Sequence, residues 1–291
     1  MSGVTLLLAG CVLLTAGEDP LAMPGCQGVD CGTPTCQAWD FDFEGPAWEG
    51  DLASCTPGSD GLEQRTLDRI NVLRAWAGLH PATLDQGLNE GAQACALIMR
   101  AAEELSHDPP SGWDCWTEEG AQAAGSSNIS GYSSERSILS YMIDGGNEDT
   151  LGHRRWILDL QLGAIGVGGT DAESCLLVHG GQVEPEREWV AWPPAGPVPM
   201  AALRDIWERT DEVGWSLQSD TLRVDQAQVV ALDPQGEELA FDLHPLPENY
   251  GSTYAMRMVP QGWHHEAGAL TVVVEGSDFA FDYEIELLDC Q

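Results

Sequence analysis

The spacing of apolar residues changes near residue 184, and no other feature constrains the fold of this chain so strongly. Upstream, apolar residues recur every three to four positions. Leu67, Ile70, Leu73 and Ala77 share one face of a helix over 62–79, which Gly78 stops. Asp85 caps a second helix carrying Leu88, Ala92, Cys95, Met99 and Ala102, which ends near Leu105. The sequence Ser106-His107-Asp108-Pro109-Pro110 then forces an exit and leaves His107 at the helix terminus. A Gly- and Ser-rich loop follows. A third helix over 133–144, with Ser134 as its cap, faces Ile138, Tyr141 and Met142 inward. "LGHRRWILDLQLGAIGVG" (151–168) reads as a short helix over 151–159 running into a strand from Leu162 to Gly169. Ser174 to His179 reads as a second strand.

Downstream of 184 the period falls to two. "WVAWPPAGPVP" (189–199) reads as a Pro-rich junction. Alternating runs follow at Leu222 to Leu232, Glu238 to Leu243, Ala255 to Val259, Ala269 to Glu275 and Phe279 to Leu288, with "DPQGEE" (233–238) as a hairpin turn. Helices and strands first, then strands alone, predict an α+β chain: a layered domain over 62–183, then an all-β antiparallel, immunoglobulin-like sandwich over 184–291.

Hydrophobic residues make up 43% of the 291, enough for a real core. The formal net charge is −35, from 47 acids against 12 bases, and every base is an arginine. Such a surface repels phosphate backbones, which excludes nucleic acid as a partner and disfavours anionic membranes. The expected state is a monomer.

Residues 1–17 combine a short apolar run with small residues, the pattern of an export signal and too short for a membrane span. Leu8-Ala9-Gly10-Cys11 resembles a lipobox, so a cleaved leader and a lipid anchor at Cys11 both stay open. Without Cys11 the cysteines number eight: Cys26, Cys31, Cys36, Cys55, Cys95, Cys115, Cys175 and Cys290. An even set suits disulfides in an exported protein, with connectivity open. Residues 18–61 hold four of them and read as a stapled arm, where Asp40, Asp42 and Glu44 alternate with Phe41 and Phe43 as a solvated strand face. The expected location is secreted or at the cell envelope.

One family resemblance emerges from the order of the motifs. "LDRINVLRAWAGLHPATLDQGLNEGAQACALIMR" (67–100), His107, "GSSNIS" (125–130) and "LGHRRWIL" followed by "IGVG" resemble a CAP domain, the family of cysteine-rich secretory proteins, antigen 5 and pathogenesis-related proteins, also called SCP. Asn71, Arg74, Gly78 and Leu79 carry its "Asn-x2-Arg-x3-Gly-Leu" pattern. The resemblance covers about 62–181 and implies an α-β-α sandwich.

It also implies a central cleft with two histidines and two acids, which in some members holds zinc or another divalent metal. His107 and His153 match the histidines. Where relatives have Gly-Glu-Asn-Ile, this chain has Ser126-Ser127-Asn128-Ile129, so Ser127 replaces one acid; Asp144 is the candidate for the other. The candidate cleft is therefore His107, Ser127, Asp144 and His153, with His107 and His153 as the only metal candidates. Serine is a poor zinc ligand, and loss of an acid removes charge compensation.

The implied function is an exported, non-catalytic binding module for a small-molecule, lipid or cell-surface ligand. The alternative is a metal-dependent hydrolase built on His107 and His153. A Ser127–His153–Asp144 triad lacks the Gly-x-Ser-x-Gly elbow. Arg154 and Arg155 are expected to pair with surface acids, Trp156 and Ile157 to pack, and His264-His265 to lie in an exposed loop. Asn128-Ile129-Ser130 is a glycosylation sequon, relevant only on a eukaryotic secretory route.

Overall fold

The computed structural model describes residues 48–58, 61–203 and 212–290. The expected leader, Cys11, Cys26, Cys31, Cys36 and the alternation at Asp40, Asp42 and Glu44 lie outside them. No helix among the described residues is long and apolar enough to cross a membrane.

Helix α1 (Leu62–Trp76) buries Leu67, Ile70 and Leu73, as their spacing requires, and Gly78 turns the chain out of it at φ 66°. Two polar residues on the buried side lock this exit. Asn71 exchanges both amide hydrogen bonds with the backbone of Ala82, at 3.1 and 2.7 Å. Arg74 donates to the carbonyls of His80, Ile157, Asp159 and Leu162. Burial lowers its pKa to about 10, which leaves it charged at neutral pH. The polar members of the "Asn-x2-Arg" pattern are thus structural.

After β1 (Thr83–Leu84), helix α2 (Gln86–Ala102) starts at Asp85, whose carboxylate accepts from the Leu88 N–H at 3.0 Å. It ends three residues short of Leu105, where Glu103 adopts a left-handed φ of 52°. His107 therefore sits in the following loop and not at the helix terminus. The stretch expected to be loop contains α3 (Glu118–Ala124). Thr117 caps it through the Gly120 N–H at 3.0 Å, and Glu118 and Glu119 favour its positive first turn. After β2 (Ser127–Ser130) comes α4 (Ser134–Ile143), entered from Ser133 without a side-chain cap. The expected cap, Ser134, instead donates to Gly168 O at 3.0 Å. Helix α5 (Gly152–Ile157), β3 (Ala164–Gly169) and β4 (Ser174–Leu177) complete this part.

The four strands pair in the order β1-β3-β4-β2, with β1 parallel to β3 and the rest antiparallel. Period-two alternation sorts their side chains between two helical layers. Ile165, Val167, Leu176 and Val178 meet α1 and α4, whereas Cys175 and Leu177 meet α2 and α3. On the α2 side, β3 presents Gly166 and Gly168, where any Cβ would collide with the backbone of Leu88 or Ala92. "AIGVG" is thus a strand with one aliphatic face and one bare face on which a helix lies directly. α2 also finishes the β3 backbone: Asn89 accepts from Val167 N, and Gln93 bonds both N and O of Gly169. The α-β-α sandwich is present.

The Pro-rich "junction" folds as two strands, β5 (Trp189–Trp192) and β6 (Gly196–Pro199). Proline is admissible in β6 because that strand lies at the sheet edge, where its missing N–H breaks no ladder. The other strands are β7 (Trp215–Ser219), β8 (Gln228–Leu232), β9 (Glu238–Leu246), β10 (Tyr254–Pro260), β11 (Gly268–Glu275) and β12 (Ala280–Leu288). "DPQGEE" makes the β8–β9 turn, with Asp233 Oδ1 accepting from the N–H groups of Gln235 and Glu237.

The sheet order is β5-β7-β10-β9-β8-β11-β12-β6, antiparallel except for β6 against β12. β9 pairs β8 through residues 238–240 and β10 through residues 241–246, and the sheet folds over there. Trp189 of β5 consequently stacks on Phe281 of β12 at 4.2 Å. His265 is buried, not exposed: its Nε2 accepts from Trp215 Nε1 at 2.6 Å within an aromatic cluster. The largest apolar cluster runs without interruption from Leu73 and Ile157 to Trp192, Trp215 and Leu217.

Two disulfides join described cysteines, Cys55–Cys115 and Cys95–Cys175, with Cα separations of 5.4 and 6.1 Å. The first ties the N-terminal arm to the loop before α3; the second crosses from α2 to β4 inside the core.

Candidate functional site

A cleft of about 630 Å³ opens beside the start of β2, the end of β4 and the first turn of α5. It collects His107, Ser127 and His153 of the expected residues; Asp144 lies directly behind the wall.

Each side chain is oriented by local structure. The loop after α2 carries His107, whose Nδ1 lies 2.8 Å from Ala124 O at the end of α3. A carbonyl only accepts, so Nδ1 holds the hydrogen, and Nε2 of the neutral ring is a bare acceptor. His153 repeats this on the opposite wall, with Nδ1 2.8 Å from Asp144 Oδ1. Asp144 ends α4 at a left-handed φ of 56° and is 2% exposed; its second oxygen accepts from Arg154 N at 3.2 Å. Asn128 Nδ2 donates to His153 O, Tyr141 Oη donates to Asn128 O, and the Tyr141 ring lies 5.0 Å from the imidazole. His153 is thus held by three groups, Asp144, Asn128 and the Tyr141 ring.

The catalytic alternatives lose their geometry at Ser127. Its hydroxyl donates to Ala123 O at 2.7 Å and makes no bond to His153. The metal candidates do not gather a donor set either. Ser127 is committed inward, Asp144 is spent on His153 and Arg154, and no group of three or more His, Cys, Asp or Glu among the described residues is placed to hold an ion. The sequon asparagine, Asn128, is 2% exposed within β2 and is no acceptor for a glycan in the folded chain.

Five further residues around the cleft were not expected there. His179 lies two residues past the end of β4, its ring edge-on to Trp156 at 4.2 Å, and burial lowers its pKa. A histidine closing an apolar strand next to Gly180-Gly181 was the available signal. Trp156, expected to pack, is part of the wall. Glu248, Asn249 and Tyr250 come from the β9–β10 loop, 95 or more positions away from His153, and nothing in sequence spacing announces them.

Of the two arginines beside His153, Arg155 explains how that loop reaches the cleft. Both were expected to meet carboxylates; both instead bond backbone carbonyls. Arg154 donates to Met142 O at 2.6 Å and Ile143 O at 3.0 Å, the free carbonyls ending α4, and to Gly214 O at 3.0 Å. Arg155 donates to Thr150 O at 3.1 Å, Pro247 O at 2.8 Å and Ser252 O at 3.2 Å, with 3.0 Å to Ser252 Oγ. A planar fork of five donors suits carbonyls gathered where several segments end. Burial holds both guanidinium pKa values near 10, so both stay charged. Gln218 adds hydrogen bonds to Arg155 O and Leu158 O, and the Tyr250 ring rests on Gly152.

Comparison with known proteins gives matches over part of the chain. The model of the CAP, cysteine-rich secretory protein family matches residues 67–174. No curated protein matches the chain. Among solved structures, a similar one is an extracellular protein containing a SCP domain from Bacillus anthracis str. Ames. It is 23% identical over 40% of this chain, with a TM-score of 0.32, and the match spans 39% of its own length. The matched segment, residues 67–174, supplies both cleft histidines and is similar to a CAP domain.

Proposed function

We propose that this is an exported CAP-domain protein that acts as a non-catalytic binding module, with the segment 184–291 as an appended immunoglobulin-like unit that walls one side of the cleft. The observation that carries the reading is the inward commitment of the candidate catalytic groups. The Ser127 hydroxyl points at Ala123 O, and both histidines use Nδ1 on structural acceptors. A cleft of about 630 Å³ with fixed walls remains, within the usual size of small-molecule sites. The export pattern at residues 1–17 and the disulfides support a secreted or envelope location; lipidation at Cys11 stays a proposal.

The test is a thermal-shift and saturation-transfer NMR screen of small polar molecules, lipids and short glycans against wild type, His107→Ala and His153→Ala. A ligand whose signal is lost in both variants, with no hydrolysis of peptides or esters by wild type, is the expected outcome. Stoichiometric zinc in the purified protein, with hydrolysis abolished in both variants, would restore the metal-dependent hydrolase.

A further inference from the structure

We propose that the cleft receives an aliphatic ammonium group and that Glu248, supplied by the appended β-strand segment, is its anionic partner. This rests on the binding-module reading and adds the chemistry of the ligand.

The first observation is where the hydrogens of the cleft wall go. His107 and His153 each turn an Nδ1–H inward, to Ala124 O and to Asp144. Ser127 gives its hydroxyl hydrogen to Ala123 O, and Thr150 gives its own to Asn147 Oδ1 at 2.7 Å. Asn128 Nδ2 donates to His153 O, and Asn147 Nδ2 donates to Asp144 Oδ1. These six side chains line the cleft or stand directly against it, and the histidine Nδ1–H, the hydroxyl hydrogens and one hydrogen of each asparagine amide are used within the protein. What the two imidazoles keep for a ligand is the Nε2 lone pair of each, whereas Thr150 Oγ1 accepts from Gly152 N and Asn147 Oδ1 from Thr150 Oγ1. Donors remain on Ser126, Trp156, His179, Asn249 and Tyr250 and in the second amide hydrogens of Asn128 and Asn147, whereas His107 and His153 offer a ligand only the Nε2 acceptor. A ligand that satisfies these two nitrogens must bring hydrogens. An ammonium brings three and accepts none.

Charge points the same way. Glu248 is an exposed cleft residue, and a carboxylate adds only acceptors. Arg223 also feels its charge, but that guanidinium is already hydrogen-bonded to Asp225 at 3.0 and 2.8 Å. The other nearby cation, Arg155, is buried, with its donors spent on Thr150, Pro247 and Ser252. Trp156 provides aromatic surface of the kind that attracts cations, and the Tyr250 ring already draws the Arg155 guanidinium to 5.7 Å from its centre. A net charge of −35 draws cations toward the whole molecule. Phosphate, sulfate and carboxylate ligands would meet lone pairs with lone pairs.

The shared chemistry, an aliphatic amine, comes from two sources: a linear polyamine or an amino sugar. Isothermal titration calorimetry on the full chain separates them, with spermidine and the glucosamine trimer as amines and the N-acetylglucosamine trimer and maltotriose as neutral counterparts. At least one amine binds at least tenfold more tightly than the neutral probes, and Glu248→Gln weakens it at least tenfold. Glu275→Gln removes one charge at the end of β11, outside the cleft, and leaves that affinity within about twofold, which rules out general attraction to an acidic surface. Spermidine binding alone identifies a polyamine site, and glucosamine-trimer binding alone an amino-glycan site. Equal affinity for acetylated and free-amine trimers, unchanged affinity in Glu248→Gln, or no binding of either amine overturns the proposal. Neutral probes or lipids that bind wild type but not His107→Ala would keep the binding-module reading while removing the ammonium ligand.

Discussion

Asp144 Oδ1 lies 2.8 Å from His153 Nδ1, and the other oxygen of the same carboxylate holds Arg154 N at 3.2 Å. One buried side chain at the end of α4 thereby sets both the start of α5 and the tautomer of a cleft imidazole. In Asp144→Asn only one of these two N–H groups can meet an oxygen; the other faces an amide nitrogen. The expected cost is about 1–3 kcal/mol, the penalty for an unsatisfied buried donor. Long-range proton–nitrogen NMR of the neutral ring should show hydrogen on Nδ1 of His153 in wild type and a mixed population in the variant. A wild-type ring protonated mainly on Nε2 contradicts the arrangement.

Arg155 carries the contact between α5 and the β9–β10 loop. Replacing it by methionine keeps much of the volume but orphans the carbonyls of Pro247, Thr150 and Ser252. Urea denaturation should show a loss of about 3–5 kcal/mol, typical of removing one side of a buried charged network. Hydrogen exchange should rise in residues 247–253 before it rises in β3 or β4. Protection that stays uniform across those segments would mean that the loop is held by other contacts.

Asp159 has its pKa raised to about 6, chiefly by burial, with Asp220 adding repulsion against the pull of Arg74. The folded state therefore binds more protons than the unfolded state between about pH 4 and pH 6. Stability falls as pH rises through that window, by at most about 3 kcal/mol from this group. Asparagine still offers Oδ1 to Gln161 N, which the aspartate now holds at 2.8 Å. Asp159→Asn should stabilise the chain at pH 7.5, and its advantage over wild type should vanish near pH 3.5. Urea midpoints at the two values decide; a variant less stable at pH 7.5 would show that the charge is needed by Arg74.

Cys95 and Cys175 are both buried, and their disulfide joins positions 80 apart. The double Cys→Ala variant should lose about 2–5 kcal/mol. The loss should appear in thermal unfolding of the oxidised protein and disappear when wild type is compared under reducing conditions. No difference under oxidising conditions would show that the bond is absent from the purified chain.

Helices α1 and α2 were legible in the sequence because each is long, periodic and ended by recognisable residues, Gly78 in one case and the Asp85 cap in the other. Helix α3 was not, since seven residues give too short a period, although Thr117-Glu118-Glu119 carries a capping signature. β5 and β6 were hidden by prolines, which exclude a central strand but not the positions these strands take. His265 reads as surface from composition and is buried because Trp215 supplies its partner.

Of the residues expected around the cleft from matching family positions, His107, Ser127 and His153 line it and Asp144 stands behind the wall. The partners of Arg154 and Arg155 were beyond sequence alone, because a backbone carbonyl has no residue type to recognise. The same holds for Glu248, Asn249 and Tyr250. Their place beside His153 depends on a sheet that bends at β9 and on an arginine fork that gathers carbonyls from distant segments. Spacing fixes which face of an element is buried; only long-range packing decides which loop lies across the cleft.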